Sequence, residues 1–247
     1  MQKLPVYVLT LPGDEKRRQP LLAALDAQHI SYELVYGVDG RQGLPAEYLS
    51  QIDRDGARVR HGYSLSDGEF ACALSHRFLW QKVIEHSSTA ALILEDDAQI
   101  TPKLGAFLAS DHVFDAPLIQ LDYSRAWCAR FSARRAGDFG TRWRMVKTSA
   151  LTTGYVVSQD AAIALLKAST PVRSIADWPL EISSIGGHII YPRLVNHISE
   201  GNVGSDFVKN LSTSSSLKKP ARKGWRRFVS ATYWKSYISR RLALKIG

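Results

Sequence analysis

A short apolar run that leads directly into three acids constrains this chain most strongly. Residues 90–99 read AALILEDDAQ, and the first half has the composition of a strand buried on both faces, as in parallel sheets. Glu95, Asp96 and Asp97 then lie at the carboxyl end of that strand. In open α/β sheets this end faces the ligand crevice, so the run predicts a polar site there.

The three adjacent carboxylates repel one another unless a cation offsets them. Side-chain alternation predicts that Glu95 and Asp97 point one way and Asp96 the other. Mg²⁺ and Mn²⁺ prefer such oxygen ligands and usually bind one or two carboxylates together with substrate phosphates, which indicates a metal-held diphosphate. Short acidic runs after strands are also typical of solvated turns and helix caps, and Pro102 allows a helix to start nearby.

Chain length and cysteine content predict one main domain in a reducing compartment. The 247 residues, 45% of them hydrophobic, can bury one large core. Cys72 and Cys128 cannot build a disulfide framework. No run approaches the roughly 18 apolar residues of a membrane span, and the LPVYVLTLP segment is too short for a signal peptide. We therefore expect a cytoplasmic protein, at least at its active face.

The positive charge is concentrated at the end of the chain. Residues 207–247 contain eleven Lys/Arg and no acid, so the formal charge of +9 leaves 21 basic and 23 acidic residues, or −2, in residues 1–206. This divides the chain into a catalytic domain, 1–206, and a linker with a basic tail, 207–247. The tail from 217 onwards interleaves aromatic and basic residues, which is typical of a helix anchored on an anionic membrane. A solvated disordered tail and a nucleic-acid-binding arm remain alternatives, with nucleic acid the less favoured.

Hydrophobic periodicity predicts alternating strands and helices, and thus an α/β fold with a right-handed parallel crossover near the start. Besides the acidic strand, strands are predicted at 5–11, 31–38, 117–121, 152–158 and 189–195, and helices from about 15 or 19 to 28 and at 64–86, 103–110 and 159–168. Ser66 and Glu69 form a capping box for the second helix. Segments 42–63 and 125–144 are predicted as an irregular surface excursion and an exposed flap.

Several polar residues near predicted strand ends are candidates for ligand contacts. Asp39, followed by Gly40, could touch a ribose hydroxyl or form an ordinary Asp-Gly turn. Ser75 and His76 lie beside small helical residues, so His76 is either next to a donor pocket or a packed structural residue. Arg18 or its neighbour Arg17 could pair with phosphate, or be solvated.

Two aromatic residues and two further acids complete the candidates. Tyr155 and Trp178 could form sugar platforms or fill the core. Asp177 and Glu181 flank Pro179, which places Asp177 in a rigid, non-helical stretch.

Taken together, the motifs resemble those of the lipopolysaccharide-biosynthesis glycosyltransferases, family 25, over about residues 3–205. The resemblance rests on VYVLTL near the start with Arg17 and Arg18, VDG at 38–40, LSDGEFACALSH at 65–76, LILEDDA at 92–98, TTGYVVS at 152–158, ADW at 176–178 and YPRLV at 191–195. It implies a GT-A-like, Rossmann-related fold and an inverting transfer from a UDP-sugar, commonly UDP-galactose. It also implies a divalent metal, usually Mn²⁺, held at a DXD-type motif that corresponds to residues 95–97.

The resemblance also suggests roles for individual residues. Asp97 would be the first metal ligand, Glu95 would be shared between metal and ribose, and His197 would complete the coordination unless it is an ordinary loop histidine. Asp177 matches the family's Asp and would be the general base, with Glu181 in reserve, unless either carboxylate is tied to a backbone amide or to Arg173. Residues expected to contact the donor are Thr10, Arg18, Asp39, Gly40, Ser75, His76, Glu95, Asp96 and Tyr155.

Departures from the family pattern and other function classes leave alternatives. Thr10 stands where the family usually carries Asn, and His197 where it often carries Gln. A glycoside hydrolase needs two carboxylates about 5–9.5 Å apart across the bond, which one clustered acidic run does not supply. A non-catalytic nucleotide-sugar or glycan-binding protein of the same fold and a UDP-glucose-using transferase stay open. The acceptor expected from the resemblance is a lipid-linked oligosaccharide.

Overall fold

A computed structural model describes residues 4–86, 89–197 and 243–247. The strands are β1 Val6–Thr10, β2 Glu33–Tyr36, β3 Ala90–Glu95, β4 Ala98–Ile100, β5 Leu118–Gln120, β6 Ala126–Ala129, β7 Arg134–Arg135, β8 Thr141–Lys147, β9 Gly154–Ser158, β10 Gly187–Tyr191, β11 Val195–His197 and β12 Ala243–Ile246. The α-helices are α1 Glu15–Ala27, α2 Arg54–His61, α3 Asp67–Glu85, α4 Leu104–Leu108 and α5 Gln159–Ala168. Short 3₁₀ helices occupy Ala46–Gln51, Asp111–Phe114, Gly137–Phe139 and Ile182–Ile185.

Ten of these strands form one mixed sheet in the order β12-β6-β8-β10-β5-β9-β3-β1-β2, with β7 paired to β8. β1 pairs in parallel with β2 and β3, and β10 pairs in parallel with β5, whereas β9 is antiparallel to both β3 and β5. Following the pairings across the sheet, three strands (β8, β9 and β12) oppose the other seven, which share one direction. The predicted α/β fold with a mostly co-directional sheet is confirmed, and seven carboxyl ends meet at one edge.

The central strand β3 is buried on both faces, as its apolar run predicts. Leu92 and Leu94 pack with α1 and α4, whereas Ala91 and Ile93 pack against α3 and α5 on the opposite face. A strand that lies between two helical layers needs apolar side chains at successive positions rather than at alternate ones.

The helix boundaries follow the predicted signals. The Ser66 hydroxyl accepts a hydrogen bond from the Glu69 amide, and the Glu69 carboxylate accepts one from the Ser66 amide, which confirms the capping box of α3. α1 begins at Glu15, the earlier of the two predicted starts, and the exposed Pro20 lies inside it.

Two segments that lacked clear periodicity are more ordered than predicted. The expected flap at 125–144 contains β6, β7 and the start of β8, where Ala126, Cys128 and Met145 are buried while Arg134, Arg135 and Arg144 are exposed. The expected irregular region at 42–63 contains α2 and a 3₁₀ helix. The predicted strand at 189–195 is divided in two, and β11 pairs with β4 in a separate two-stranded sheet.

Most of the predicted tail lies outside the described residues, so the proposed division at residue 206 and the membrane anchor stay predictions. Its last residues form β12, which pairs antiparallel with β6, so the prediction of a helical tail is wrong for 243–246. Among the described residues, no helix is long and apolar enough to cross a membrane.

Candidate functional site

The acidic turn lies at the carboxyl end of β3, beside the end of β1. Leu9 pairs with Glu95, so Thr10 lies next to Asp96, and the Thr10 hydroxyl donates a 2.9 Å hydrogen bond to the Asp96 carboxylate. The strand ends at Glu95, and Asp96 and Asp97 form a turn. The strict alternation predicted for the three acids is therefore wrong beyond Glu95.

Arg17 bridges the two aspartates of the turn. Its Nε lies 3.0 Å from Asp96 Oδ1, and its Nη2 lies 2.7 Å from Asp97 Oδ2. The guanidinium thus supplies the offsetting cation that three adjacent acids require. Burial raises the pKa of Asp96, although Arg17 and the Thr10 hydroxyl oppose that rise.

Glu95 faces a different set of partners, which form a buried chain of hydrogen bonds. His76 Nε2 lies 3.1 Å and the Thr152 hydroxyl 2.6 Å from Glu95 Oε1. His76 Nδ1 lies 3.0 Å from the Tyr155 hydroxyl, which accepts a bond from the Trp80 indole N–H at 2.9 Å. Burial acts to raise the pKa of Glu95, but the hydrogen bonds from His76 and Thr152 outweigh it and lower that pKa.

This chain of bonds explains three predicted site residues. Tyr155 and His76 are each 0% exposed, so Tyr155 fills the core here, which is the alternative to a sugar platform, and its predicted donor contact stays a prediction. Trp178, also buried, packs edge-on against Tyr155 with 4.9 Å between the ring centroids. His76 reaches the site through Glu95, which it orients.

Replacing Tyr155 with Phe is expected to lower the free energy of unfolding by about 1–3 kcal/mol, because the Trp80 indole N–H and His76 Nδ1 lose their buried partner. Urea unfolding followed by circular dichroism measures the change. Tyr191→Phe is the matched control, since Tyr191 is 52% exposed. Equal stability of both variants would contradict the structural role of this chain of bonds.

The residues predicted around the end of β2 pack that strand onto α3. The Ser75 hydroxyl accepts a bond from the Val38 amide at 2.8 Å and donates one to the Ala71 carbonyl at 2.7 Å. A Cβ on Gly40 would lie 2.7 Å from Ala71 Cβ, so glycine permits close approach. Ser75, at 3% exposure, and Gly40 therefore pack β2 onto α3, and their predicted donor contacts stay predictions.

Asp39 and Arg18 occupy different surroundings at the same edge of the sheet. Arg41 binds the Asp39 carboxylate through Nε at 2.9 Å and Nη2 at 2.7 Å, and also reaches Asp14. The hydrogen bonds from Arg41 lower the pKa of Asp39. Arg18 is buried and donates hydrogen bonds to Glu15 at 3.0 Å and to the Thr10 hydroxyl at 3.4 Å. It contacts the acidic turn through Thr10, which in turn binds Asp96.

Asp177 lies in a strained part of the backbone on the other side of Glu95. Its carboxylate accepts a 3.3 Å hydrogen bond from the Leu151 amide, and both Leu151 (φ +85°) and Trp178 (φ +114°) adopt positive φ values. Burial raises the pKa of Asp177, the Leu151 amide opposes the rise, and the charge of Glu95 adds to it. Strained residues and a shifted carboxyl are features that cluster at functional sites.

Glu181 has a local structural partner. Its Oε2 accepts a 2.9 Å hydrogen bond from the Thr148 amide, and the Thr148 hydroxyl accepts one from the Ile182 amide. Glu181 thus ties the end of β8 to the start of the 3₁₀ helix Ile182–Ile185, which is the backbone-bound alternative for this carboxylate.

His197 is brought next to the acidic turn by the small second sheet. In the β4–β11 ladder His197 pairs with Ala98, the residue after Asp97. Its Nδ1 lies 2.9 Å from Oδ2 of Asp122, which is 0% exposed. A carboxylate on one ring nitrogen is how metal-binding histidines are usually oriented, and it leaves Nε2 for another ligand.

These residues fit a divalent cation shared with a phosphate-bearing ligand rather than a complete protein cage. Asp97 Oδ1 is buried without a hydrogen-bond partner among the described residues. In the same part of the chain, no three His, Cys, Asp or Glu side chains form a ready metal cluster. Mg²⁺ and Mn²⁺ commonly bind one or two carboxylates and complete their shell with phosphates and water.

The structure adds residues that the sequence did not single out as site residues. Cys72 lies one helical turn before His76, and the charges of Glu95 and Asp177 add to burial in raising the pKa of its thiol. The i, i+4 spacing of Cys72 and His76 was the available signal. Gln120 is fully buried, and its amide donates a 2.8 Å bond to the Leu151 carbonyl, so it holds the loop that contacts Asp177.

Sequence comparison identifies the family. The model described as "Glycosyltransferase family 25 (LPS biosynthesis protein)" matches residues 3–180, more than half of the chain. The chain belongs to glycosyltransferase family 25. The match confirms the resemblance, and it contains the acidic turn and Asp177, whereas Glu181 and His197 lie beyond it.

Individual family 25 relatives cover parts of the chain. Procollagen galactosyltransferase 1 from Danio rerio is 30% identical over 99 residues, which are 37% of this chain and 16% of that protein. The lipooligosaccharide biosynthesis protein lic2B from Haemophilus influenzae is 28% identical over 116 residues, which are 47% of this chain and 42% of that protein. The chain therefore spans less than half the length of each.

The structure comparison aligns this chain with a solved galactosyltransferase. LgtC, in complex with donor and acceptor sugar analogs, aligns with 90% of this chain and 99% of that chain, at 10% identity and a TM-score of 0.43.

Proposed function

We propose that this family 25 chain is an inverting glycosyltransferase that moves a sugar, with galactose the first candidate, from a UDP-sugar to a lipooligosaccharide or lipopolysaccharide acceptor. One observation carries the proposal. An acidic turn in which Asp97 Oδ1 is buried without a partner among the described residues, and a second carboxyl with a raised pKa, Asp177, both lie near Glu95. Such a site can stabilise a leaving diphosphate and also accept a proton.

In the proposed mechanism, Asp97 and His197 Nε2 would hold a divalent cation, Mn²⁺ or Mg²⁺. This cation would supply a Lewis acid for the leaving diphosphate. Asp122 fixes the His197 ring, and Arg17 contacts Asp97 in the structure described here. Thr10 and Arg18 hold the acidic turn in place.

The chemical step is a displacement at the anomeric carbon. Asp177 takes the proton from an acceptor hydroxyl, the hydroxyl oxygen forms a bond to the anomeric carbon, and the carbon–oxygen bond to the diphosphate breaks. A base on the face opposite the leaving group gives inversion. Glu95, kept ionised by His76 and Thr152, contacts the donor ribose or the cation.

The names of two relatives support the proposed substrates. A galactosyltransferase and a lipooligosaccharide biosynthesis protein are both similar to this chain, which supports UDP-galactose as donor and a lipid-linked oligosaccharide as acceptor. UDP-glucose is the alternative donor. We place the protein in the cytoplasm, in peripheral contact with the inner face of an anionic plasma membrane, where lipid-linked acceptors are built.

A donor screen tests the proposal. Purified protein is incubated with Mn²⁺, truncated lipooligosaccharide and individual nucleotide sugars, and released UDP and the anomeric configuration of the product are measured. We expect UDP release that requires both substrates and is lost with a chelator, with inverted configuration. Tight donor binding without turnover would favour a non-catalytic binding protein, and release of free sugar without acceptor would favour a hydrolase.

A further inference from the structure

A basic loop with an exposed phenylalanine, residues 130–133, lies between β6 and β7 and is called the β6–β7 loop. Both strands pair antiparallel with β8, so this loop interrupts one side of the β8 ladder, with Arg130 and Phe131 in it and Arg134 and Arg135 following in β7. Phe131 is 90% exposed, although a phenyl ring gains free energy when it leaves water. The exposed ring would gain free energy by entering the apolar interior of a partner.

The net charge around the β6–β7 loop is strongly positive. Residues 125–147 contain six Arg and one Lys but one acid, a balance of +6; since residues 1–206 sum to −2, the rest of the body carries −8. Among the described residues, the only carboxylate contacts of these basic side chains are the 3.8 Å Arg135–Asp138 pair and the 3.5 Å Arg142–Asp115 pair. The remaining arginines are available to an anionic surface.

The β6–β7 loop is separated from the candidate site by several strands. β8, β10, β5 and β9 lie between β6 and β3 in the sheet. The loop is opposite Trp143 and Arg144 of β8, and Trp143 is in register with Ile93, two residues before Glu95.

We propose that the β6–β7 loop docks on an anionic phospholipid bilayer, with Phe131 inserted at the headgroup boundary and Arg130, Arg134 and Arg135 at the lipid phosphates. The inference rests on the peripheral membrane location proposed above and assigns a surface to it. An apolar residue within a basic surface is the combination that interfacial binding uses.

Vesicle sedimentation tests the surface. The full chain is mixed with vesicles of phosphatidylcholine alone or with phosphatidylglycerol added, as the parent, Phe131→Ser and the double variant Arg130→Glu/Arg134→Glu. We expect binding of the parent to the anionic vesicles only, and a loss of about tenfold or more in partition for each variant. UDP release with a short, water-soluble acceptor should be unchanged by Phe131→Ser, which separates this inference from the proposed catalysis.

Matched controls exclude general effects of charge and exposure. Ile163→Ser removes a 48% exposed apolar residue on α5, and Arg58→Glu/Lys167→Glu changes the net charge as much as the double variant does. Both should bind vesicles like the parent. If Phe131→Ser and Arg130→Glu/Arg134→Glu bind anionic vesicles as well as the parent does, the proposal is overturned and the segment 207–242 is left as the contact. Binding to an oligonucleotide that needs the arginines but not Phe131, without vesicle binding, would also overturn it.

Discussion

An Asp177→Asn variant is expected to lose sugar transfer almost completely, with kcat lower by about 10²–10⁴. The amide has the same shape and can still accept the hydrogen bond from the Leu151 amide, so the strained backbone around residue 177 should persist. It cannot accept the proton of the acceptor hydroxyl. The measurement is kcat from UDP release with donor and acceptor at saturation.

Glu181→Gln is the matched control for that variant. The introduced amide side chain keeps an oxygen that accepts the hydrogen bond from the Thr148 amide. We therefore expect kcat to stay within about twofold of the parent, a factor that corresponds to a free-energy change of less than about 0.5 kcal/mol. A large loss in Glu181→Gln with near-normal activity of Asp177→Asn would make Glu181 the base.

The pH dependence of kcat gives an independent test of the same residue. The base works in its ionised form, and burial raises the pKa of Asp177 above the ordinary value of 3.8. Transfer should therefore be full at pH values above the raised pKa and decline as pH falls through it. This acidic limb should be absent from the residual activity of Asp177→Asn.

The elements that the sequence predicted correctly are those with local signals. The apolar run of β3 and the Ser66–Glu69 capping box are encoded within a few residues, and both are present. The hairpins of β6, β7 and β8 were missed because their inward residues are small or few and their arginines dominate the composition. A strand that is stabilised by its neighbours carries a weaker local signal than one buried on both faces.

The contacts of the site depended on long-range pairing. Asp97 and Asp177 could be proposed from motifs, but the bridge from Arg17 to the acidic turn crosses about eighty residues of sequence. Tyr155 could be read as a sugar platform because the sequence carries no local signal of its burial. The contacts with Trp80 and His76 arise only when α3 packs on the sheet. The register of β11 with β4, which places His197 beside Asp97, likewise has no local signal.

An Asp97→Asn variant should lose most of its divalent-cation affinity and, with it, transfer activity. A bound cation contributes several kcal/mol to transition-state stabilisation, so kcat/KM should fall by about a hundredfold or more at a fixed Mn²⁺ concentration. Electron paramagnetic resonance of free Mn²⁺, titrated with the protein in the presence of UDP, measures binding without turnover.

Asp96→Asn distinguishes loss of the cation from loss of charge in the turn. Both variants remove one carboxylate from Arg17, but Asp96 is engaged by Thr10 and Arg17 in the folded protein, whereas Asp97 keeps a buried oxygen without a partner among the described residues. We therefore expect Asp96→Asn to retain Mn²⁺ binding, which Asp97→Asn should lose. Equal Mn²⁺ affinity in the parent and in Asp97→Asn would mean that Arg17 is the permanent counter-ion of the turn and that the diphosphate is stabilised without a cation at Asp97.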